Sequence, residues 1–393
     1  MSPVSAIATP WLGYWPDPAD APQHSPSREA ITLIARDGAI VRGILWTPAN
    51  GTWSTAVVMA HPRGDFSVHY HAELLAASGY AVLGIATRSV NNDTDCVHEA
   101  CVVDVATAVD ELRRRGCDSL IALGNCGGGS LMALALADGA IEADGFIITA
   151  AHPGQGVVMM NLIDPSITDE ADPFSVDDTL DMFHPDNGWR PWPEPASYDP
   201  AWLDRYRAAQ RARVARIDAV AHDALSASRE ARATLAELEL GSASWSTTRR
   251  HAIFGSTMTV WRTLADPAYL DPTIEPDDRP LGSILTMGDP LTGNYGYGGL
   301  ARTVTARAWL STWSGLSSRA RMSDTLPRVD IPTLILHPTA DTEIRLSQAD
   351  AMASASGADD LTYSRLDGAP HYLHGHRVAA NDLMVSWLRD RFG

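Results

Sequence analysis

The sequence has no lysine, since all 30 of its basic residues are arginine. This absence excludes a lysine Schiff base, a pyridoxal-phosphate lysine and the phosphate-binding lysine of a P-loop. Cysteine is also scarce: the chain has four, without the spacing of a disulfide framework. No uninterrupted apolar stretch approaches the roughly 18 residues that a membrane-spanning helix needs. These absences lead us to expect a globular protein of a reducing compartment, in which a thiol can survive.

Acidic residues outnumber basic ones, which gives a net charge of −18 and an isoelectric point near 5.0. This charge argues against nucleic acid, an anionic membrane or another polyanion as a partner. The printed N-terminus has no basic segment followed by an apolar core, so we expect no secretory signal and a cytoplasmic location. The oligomeric state stays open, with a homo-oligomer among the options.

The patterns of strands and helices predict an α/β fold in three parts. Residues 1–28 are rich in proline and carry Trp11 and Trp15, which predicts an N-terminal arm lying on the body or at the entrance to a site. Residues 29–154 and 327–393 alternate apolar runs with helical patterns, as in a mostly parallel, doubly wound sheet. Residues 155–326 combine Trp- and Pro-rich loops with a long helix, and are predicted to be a large, mainly helical cap inserted between core strands.

The segment GNCGG, residues 124–128, is the most informative feature of the sequence. It follows an apolar run and precedes an Ala/Leu/Met stretch, so Cys126 is predicted to stand at a sharp strand-to-helix turn. Glycines on both sides permit such a turn, and the N-terminus of the following helix favours a thiolate. By itself the segment is equally compatible with a buried structural cysteine. No Gly-x-Ser-x-Gly segment occurs, so no serine competes with Cys126 for the role of nucleophile.

The order of elements, the turn at Cys126 and two later segments resemble the α/β-hydrolase fold. In that fold the acid of the catalytic triad follows the strand after the cap, and the histidine follows the last strand. The segments HPTAD, ending at Asp341, and DGAPH, ending at His371, stand at these places. The resemblance implies Cys126 as nucleophile, His371 as base and Asp341 as the residue that orients His371. Glu343 remains a competitor for the role of Asp341.

The resemblance also implies an oxyanion hole built from two backbone N–H groups. One is that of Gly127, directly after the nucleophile. The second is expected in the segment HPRG, residues 61–64, where Pro62 has no N–H and Arg63 is therefore the predicted donor. The Arg63 side chain is open to two interpretations, a grip on a substrate carboxylate or a surface salt bridge.

The Cys-Asp-His set looks most like that of the dienelactone hydrolase type, which lacks a large lid. We therefore expect a hydrolase that cleaves an ester, lactone or thioester of a bulky, hydrophobic small molecule through an S-acyl intermediate on Cys126. The alternatives are an acyltransferase that uses the same S-acyl enzyme, a hydrolase of C–C bonds in β-diketones, and a non-catalytic ligand-binding protein. No metal ion or organic cofactor is implied.

Overall fold

The computed structural model describes residues 13–191, 193–282, 290–296 and 299–393. Residues 1–12 of the predicted arm, with Trp11, lie outside these residues, as do residues 192, 283–289 and 297–298 of the predicted cap. In the part of the chain that is described, no helix is both long and apolar enough to cross a membrane.

The described residues contain ten β-strands. These are β1 (Ser27–Ile34), β2 (Ile40–Thr47), β3 (Thr55–Met59), β4 (Ala81–Ala86), β5 (Ser119–Cys126), β6 (Gly145–Ala151), β7 (Thr257–Thr259), β8 (Thr303–Thr305), β9 (Thr333–Pro338) and β10 (Leu361–Leu366). Eight of them form one sheet in the order β1-β2-β4-β3-β5-β6-β9-β10, and β7 pairs with β8 in a separate ribbon. From β4 to β10 all neighbouring strands are parallel, whereas β2 runs antiparallel to β1 and β4.

The same residues contain eleven α-helices. These are α1 (Tyr70–Ala77), α2 (His98–Arg114), α3 (Gly127–Ala137), α4 (Gln155–Leu162), α5 (Pro200–Glu237), α6 (Ala243–Ile253), α7 (Pro290–Tyr295), α8 (Ala306–Ala308), α9 (Met322–Thr325), α10 (Leu346–Ala355) and α11 (Arg377–Phe392). A π-helical turn, Trp309–Trp313, continues α8, and short 3₁₀ turns join several other elements.

Helices cover both faces of the sheet. One apolar core lies between the sheet and helices α2, α3 and α10, and a second lies between the opposite face and helices α1 and α11. Every residue of β3 and β6 is buried, as expected for central parallel strands that read as continuous apolar runs. Because the strands from β4 to β10 in the sheet order all run in the same direction, their carboxyl ends lie together at one end of the sheet.

The segment between β6 and β9 holds the long helix α5 and a core of its own. Val214 and Ile217 of α5 pack with Trp309 and Trp313 of the π-helical turn. Asp199 begins α5 by accepting hydrogen bonds from the backbone N–H groups of Ala201 and Trp202. This mainly helical segment is consistent with a cap over the sheet.

A substitution in β4 tests how closely the sheet is packed. A Cβ atom on Gly84 would collide with the Phe66 carbonyl oxygen, a backbone atom that cannot move aside. We therefore expect Gly84→Ala to lower the free energy of unfolding by about 1–3 kcal/mol in urea denaturation. Gly255→Ala is the control, because its Cβ would meet no atom within 4 Å. Equal stability of the two variants would contradict the packing described here.

Candidate active site

Cys126 occupies a strained turn between β5 and α3. It is the last residue of β5 and has backbone angles φ 53° and ψ −131°, a conformation uncommon for a residue other than glycine. The neighbouring glycines permit the turn, because a Cβ on Gly124 would collide with α3 and one on Gly128 with the Ala60 carbonyl. The turn presents the Cys126 side chain at the carboxyl end of the sheet, at the N-terminus of a helix.

The Cys126 thiol contacts a histidine that the sequence analysis did not single out. His152, directly after β6, places its Nε2 atom 3.2 Å from Cys126 Sγ. Its Nδ1–H donates to Gln155 Oε1 at 3.2 Å, and its backbone N–H donates to the Cys126 carbonyl at 2.9 Å. The available sequence signal for His152 is that it directly follows β6, the next strand along the chain after the one that carries Cys126.

The predicted partners Asp341 and His371 lie together at the same edge. His371 Nδ1 is 2.8 Å from Asp341 Oδ2, and both side chains are almost fully buried. The other carboxylate oxygen of Asp341 accepts the backbone N–H groups of Glu343 and Ile344, at 2.7 and 2.9 Å. These bonds fix the carboxylate, which in turn fixes the orientation of His371. His374 lies outside this group, with its Nε2 atom against Arg377.

Glu343 does not take the role of Asp341, for which the sequence made it a competitor, but lies beside the Nε2 atoms of two histidines. Its Oε2 atom is 3.4 Å from the Nε2 atoms of both His152 and His371, and its Oε1 atom accepts the Tyr372 hydroxyl at 3.4 Å. Cys126 Sγ, the Nε2 atoms of the two histidines and the Glu343 carboxylate all lie within 4.8 Å of one another. The structure thus gathers four atoms that could bind a metal ion, where the sequence analysis named no ligand.

The charges of this group stabilise one another. Burial disfavours the Cys126 thiolate, but the positive charges of His152 and His371 outweigh it and hold the pKa of the thiol well below its ordinary value. Burial likewise disfavours the charged histidines, yet Cys126 and Glu343 raise the pKa of His152 to about 9. Asp341, followed by Glu343 and Cys126, raises the pKa of His371 well above its ordinary value. The lowered pKa of the thiol and the raised pKa values of the two histidines therefore favour a thiolate between two imidazolium rings.

The loop after β3 differs from the predicted oxyanion hole. The backbone N–H of Arg63, the predicted donor, donates instead to His61 Nδ1 at 3.1 Å, and that of Gly64 does so at 2.7 Å. Because His61 Nδ1 accepts two bonds and burial lowers the pKa of this ring, His61 is neutral with its proton on Nε2. That atom lies 2.8 Å from where a Cβ on Gly127 would stand. The N–H group beside Gly127 at this place thus belongs to the His61 side chain, which the pattern of backbone N–H groups could not indicate.

Arg63 and the described part of the N-terminal arm complete the surroundings. The Arg63 side chain forms a salt bridge with Asp93 at 3.1 Å, which fits the second of its two interpretations. Tyr14 packs edge-on against Tyr372, with ring centroids 5.0 Å apart, and the Cys126 thiolate helps to raise the pKa of its hydroxyl, after burial. Arg377 fastens this part of the arm by donating to the Trp15 carbonyl at 2.8 Å. The arm thus lies beside the thiol.

The low pKa of the Cys126 thiol can be measured by alkylation. Thiolates react with iodoacetamide and thiols do not, so the rate at an ordinary cysteine falls about tenfold for each pH unit below its pKa of roughly 8.5. We expect the rate at Cys126 to stay on its plateau down to pH 7 or lower. His152→Gln and His371→Gln remove the opposing charges and should move the profile to higher pH. Cys126→Ser supplies the background of the other thiols, and a wild-type midpoint near 8.5 would contradict the charge pairing.

Comparison with known proteins identifies the fold of this chain but assigns it to no sequence family. The sequence matches no family model and no curated protein. Among solved structures, the α/β hydrolase GrgF from Penicillium sp. sh18 aligns over 93% of this chain and 99% of its own, with a TM-score of 0.53 and 12% identity. The structure of DcsB in complex with its substrate analogue aligns over 93% and 99%, with a TM-score of 0.51 and 12% identity.

A dienelactone hydrolase from Anabaena variabilis ATCC 29413 is more distant. It aligns over 94% of this chain and 99% of its own, with a TM-score of 0.42 and 11% identity, too remote a likeness to bear on function. The two nearer structures align over nearly their full lengths with TM-scores above 0.5, and one of them is described as an α/β hydrolase. The predicted fold class is therefore confirmed: this chain has the α/β-hydrolase fold, with a helical insertion between β6 and β9.

Proposed function

We propose that this protein is a hydrolase that cleaves an ester, lactone or thioester through an S-acyl intermediate on Cys126. The observation that carries the proposal is the geometry of the thiol. Cys126 stands at a strained turn with a histidine 3.2 Å from its sulfur, and a second histidine beside it is oriented by a buried aspartate. A structural cysteine needs neither positive charge nor an oriented base around it.

In the first step the Cys126 thiolate attacks the carbonyl carbon of the substrate, and the carbonyl π electrons move to its oxygen. The resulting tetrahedral intermediate collapses and breaks the bond to the leaving group. His371, cationic at rest, gives its Nε2 proton to the departing alkoxide or thiolate. The products of this step are the S-acyl enzyme, the released alcohol or thiol, and a neutral His371.

In the second step His371 acts as a base. Its Nε2 atom takes a proton from water while the water oxygen attacks the S-acyl carbon. Taking this proton restores the imidazolium form of His371, and the intermediate then expels the Cys126 thiolate and releases the carboxylic acid. Asp341 stabilises that form and its orientation, whereas His152 stabilises the thiolate before attack and after release.

The oxygen of the tetrahedral intermediate needs donors beside the sulfur. The backbone N–H of Gly127 has no partner within its helix, because Gly127 is the first residue of α3. We assign the second donor to the Nε2–H of His61, which faces the same place. Both donors are fixed before the reaction, the first by the helix and the second by the loop N–H groups that hold the ring.

We infer the class of substrate from the helical insertion between β6 and β9. A helical segment between β6 and β9 with a core of its own suits a covered pocket and a bulky, hydrophobic acyl group. A panel of thioesters and nitrophenyl esters with acyl chains of increasing length tests this point. We expect kcat/KM to rise with chain length, and a preference for acetyl esters would overturn it.

The role of Cys126 is tested by substitution and by mass spectrometry. We expect Cys126→Ala to lower kcat at least about a thousandfold, because the substitution removes the sulfur that forms the proposed acyl intermediate. Acid quenching of the wild-type enzyme during turnover should leave an acyl adduct on the peptide that contains Cys126. Cys117→Ala, a substitution in a helix-to-strand loop, is the control and should retain activity. An adduct on another residue, or equal inactivity of wild type and Cys126→Ala, would refute the proposal.

The donor role of His61 has its own test. His61→Phe keeps a ring of similar size but removes the Nε2–H, so kcat should fall by about 10²–10³-fold with a smaller change in KM. The control is His374→Phe, which alters a histidine outside the site. Thermal unfolding of both variants shows whether the loop keeps its stability. An unchanged kcat in His61→Phe would show that the second donor lies elsewhere.

A further inference from the structure

The site contains more than the proposed hydrolysis requires. Acyl transfer through a thiol needs one nucleophile, one base and one orienting acid, which Cys126, His371 and Asp341 supply. His152 and Glu343 add a second imidazole and a second carboxylate, aimed at the same point. The four atoms Cys126 Sγ, His152 Nε2, His371 Nε2 and a Glu343 carboxylate oxygen lie within 4.8 Å of one another, in a part of the molecule that is almost fully buried.

Three of the six separations among these atoms are close to those of ligands around a single tetrahedral ion, and the other three do not exceed 4.8 Å. Zinc binds thiolate sulfur at about 2.3 Å and imidazole or carboxylate atoms at about 2.0–2.2 Å, so its ligand atoms stand roughly 3.3–3.6 Å apart. The separations here are 3.2 Å from Cys126 Sγ to His152 Nε2 and 3.4 Å from Glu343 Oε2 to each histidine Nε2. Small adjustments of the side chains would therefore bring all four atoms to one centre.

The donor set also selects the type of ion. Two anionic ligands and two neutral imidazoles balance a divalent charge, and a thiolate with imidazoles suits zinc rather than magnesium or calcium, which require several oxygen ligands. A magnesium site would leave the sulfur without a favourable partner. Cobalt(II) accepts the same ligands and geometry as zinc and reports on them by its colour.

Three of the four proposed ligands are oriented by hydrogen bonds on the side away from the centre, as is common in metal sites of proteins. The Nδ1 atom of His371 pairs with Asp341, that of His152 with Gln155, and the outer oxygen of Glu343 with the Tyr372 hydroxyl. These contacts turn the three coordinating atoms toward the common centre. His371 Nε2 is buried and lies 3.4 Å from Glu343 Oε2, and binding of an ion at this centre would release the Nε2 protons of both imidazolium rings.

We propose that Cys126, His152, Glu343 and His371 form a tetrahedral site for a zinc-class divalent cation. The ion would bind the sulfur lone pair that attacks the substrate and the Nε2 lone pair that accepts the proton. Occupancy and acyl chemistry then exclude each other, which makes the ion a reversible inhibitor. The proposed site depends on the position of four atoms and stands even if the proposed hydrolysis is wrong.

Cobalt(II) titration of the full-length protein after removal of metal with EDTA tests this site. We expect one equivalent to bind, with a sulfur-to-cobalt charge-transfer band in the near ultraviolet and intense visible bands typical of four-coordinate cobalt. Zinc added later should displace the cobalt and abolish both features. Elemental analysis after gel filtration should give one zinc per chain. Absence of the charge-transfer band in the wild-type protein would overturn the proposal.

Variants show whether these four residues are the ligands. Cys126→Ser should remove the charge-transfer band, and Glu343→Gln and His152→Gln should each raise the dissociation constant for zinc at least about tenfold. Cys101→Ser, which alters another buried thiol with Cys96 beside it, is the control and should bind cobalt as the wild type does. Circular dichroism identifies any variant that fails to fold. Unchanged binding in both Cys126→Ser and Glu343→Gln would place the ion elsewhere.

Activity measurements separate this proposal from the proposed function. If both hold, EDTA-treated protein cleaves acyl thioesters, and zinc inhibits it with the dissociation constant found by titration. If only the metal site exists, the cobalt spectrum is present but no acyl substrate is cleaved in EDTA. If only the hydrolase exists, turnover occurs without a spectrum and is insensitive to low zinc concentrations.

Discussion

The pairing of the Cys126 thiolate with two imidazolium rings is the interaction on which the rest of this site depends. A thiolate or carboxylate in a buried place is costly unless an opposite charge lies beside it. Here Cys126, Glu343 and Asp341 alternate with His152 and His371, so that no anion lacks a cationic neighbour. Removing one member leaves another unpaired, and we therefore regard the group as one electrostatic unit whose members cannot be assigned separate energies.

The topology of the sheet explains how residues from distant parts of the chain reach this unit. Strands β5, β6, β9 and β10 are successive neighbours in the sheet and all run in the same direction. The carboxyl end of each strand supplies one part of the site: Cys126 is the last residue of β5, His152 follows β6, Asp341 and Glu343 follow β9, and His371 follows β10. The insertion between β6 and β9 adds a helical cap without disturbing this register. A ligand site at the carboxyl ends of parallel strands is the general expectation for such sheets.

Those parts of the fold and of the site that depend on local sequence patterns could be predicted from the sequence. The alternation of apolar runs with helical patterns indicated the mostly parallel sheet, and the small residues around Cys126 indicated the strained turn because only such neighbours allow it. Asp341 and His371 could be placed because each follows a strand in a known order. His152 and the two contacts of Glu343 could not, since they depend on which strands become neighbours. The direction of the Arg63 backbone N–H could also not be predicted from the sequence, because it depends on how the loop turns toward the His61 ring.

The same electrostatics favours cysteine over serine as the proposed nucleophile. A serine hydroxyl at this turn would stay protonated between two cationic rings and would give the histidines no negative partner, so their charged forms would lose stability in the buried site. A thiol ionises readily and completes the pairing. The two proposed roles of Cys126, as nucleophile and as metal ligand, both depend on its lowered pKa, because both use the same sulfur lone pair. His152 and Glu343 favour each proposed role, and a site that combined the two would be sensitive to thiophilic cations whenever its substrate was absent.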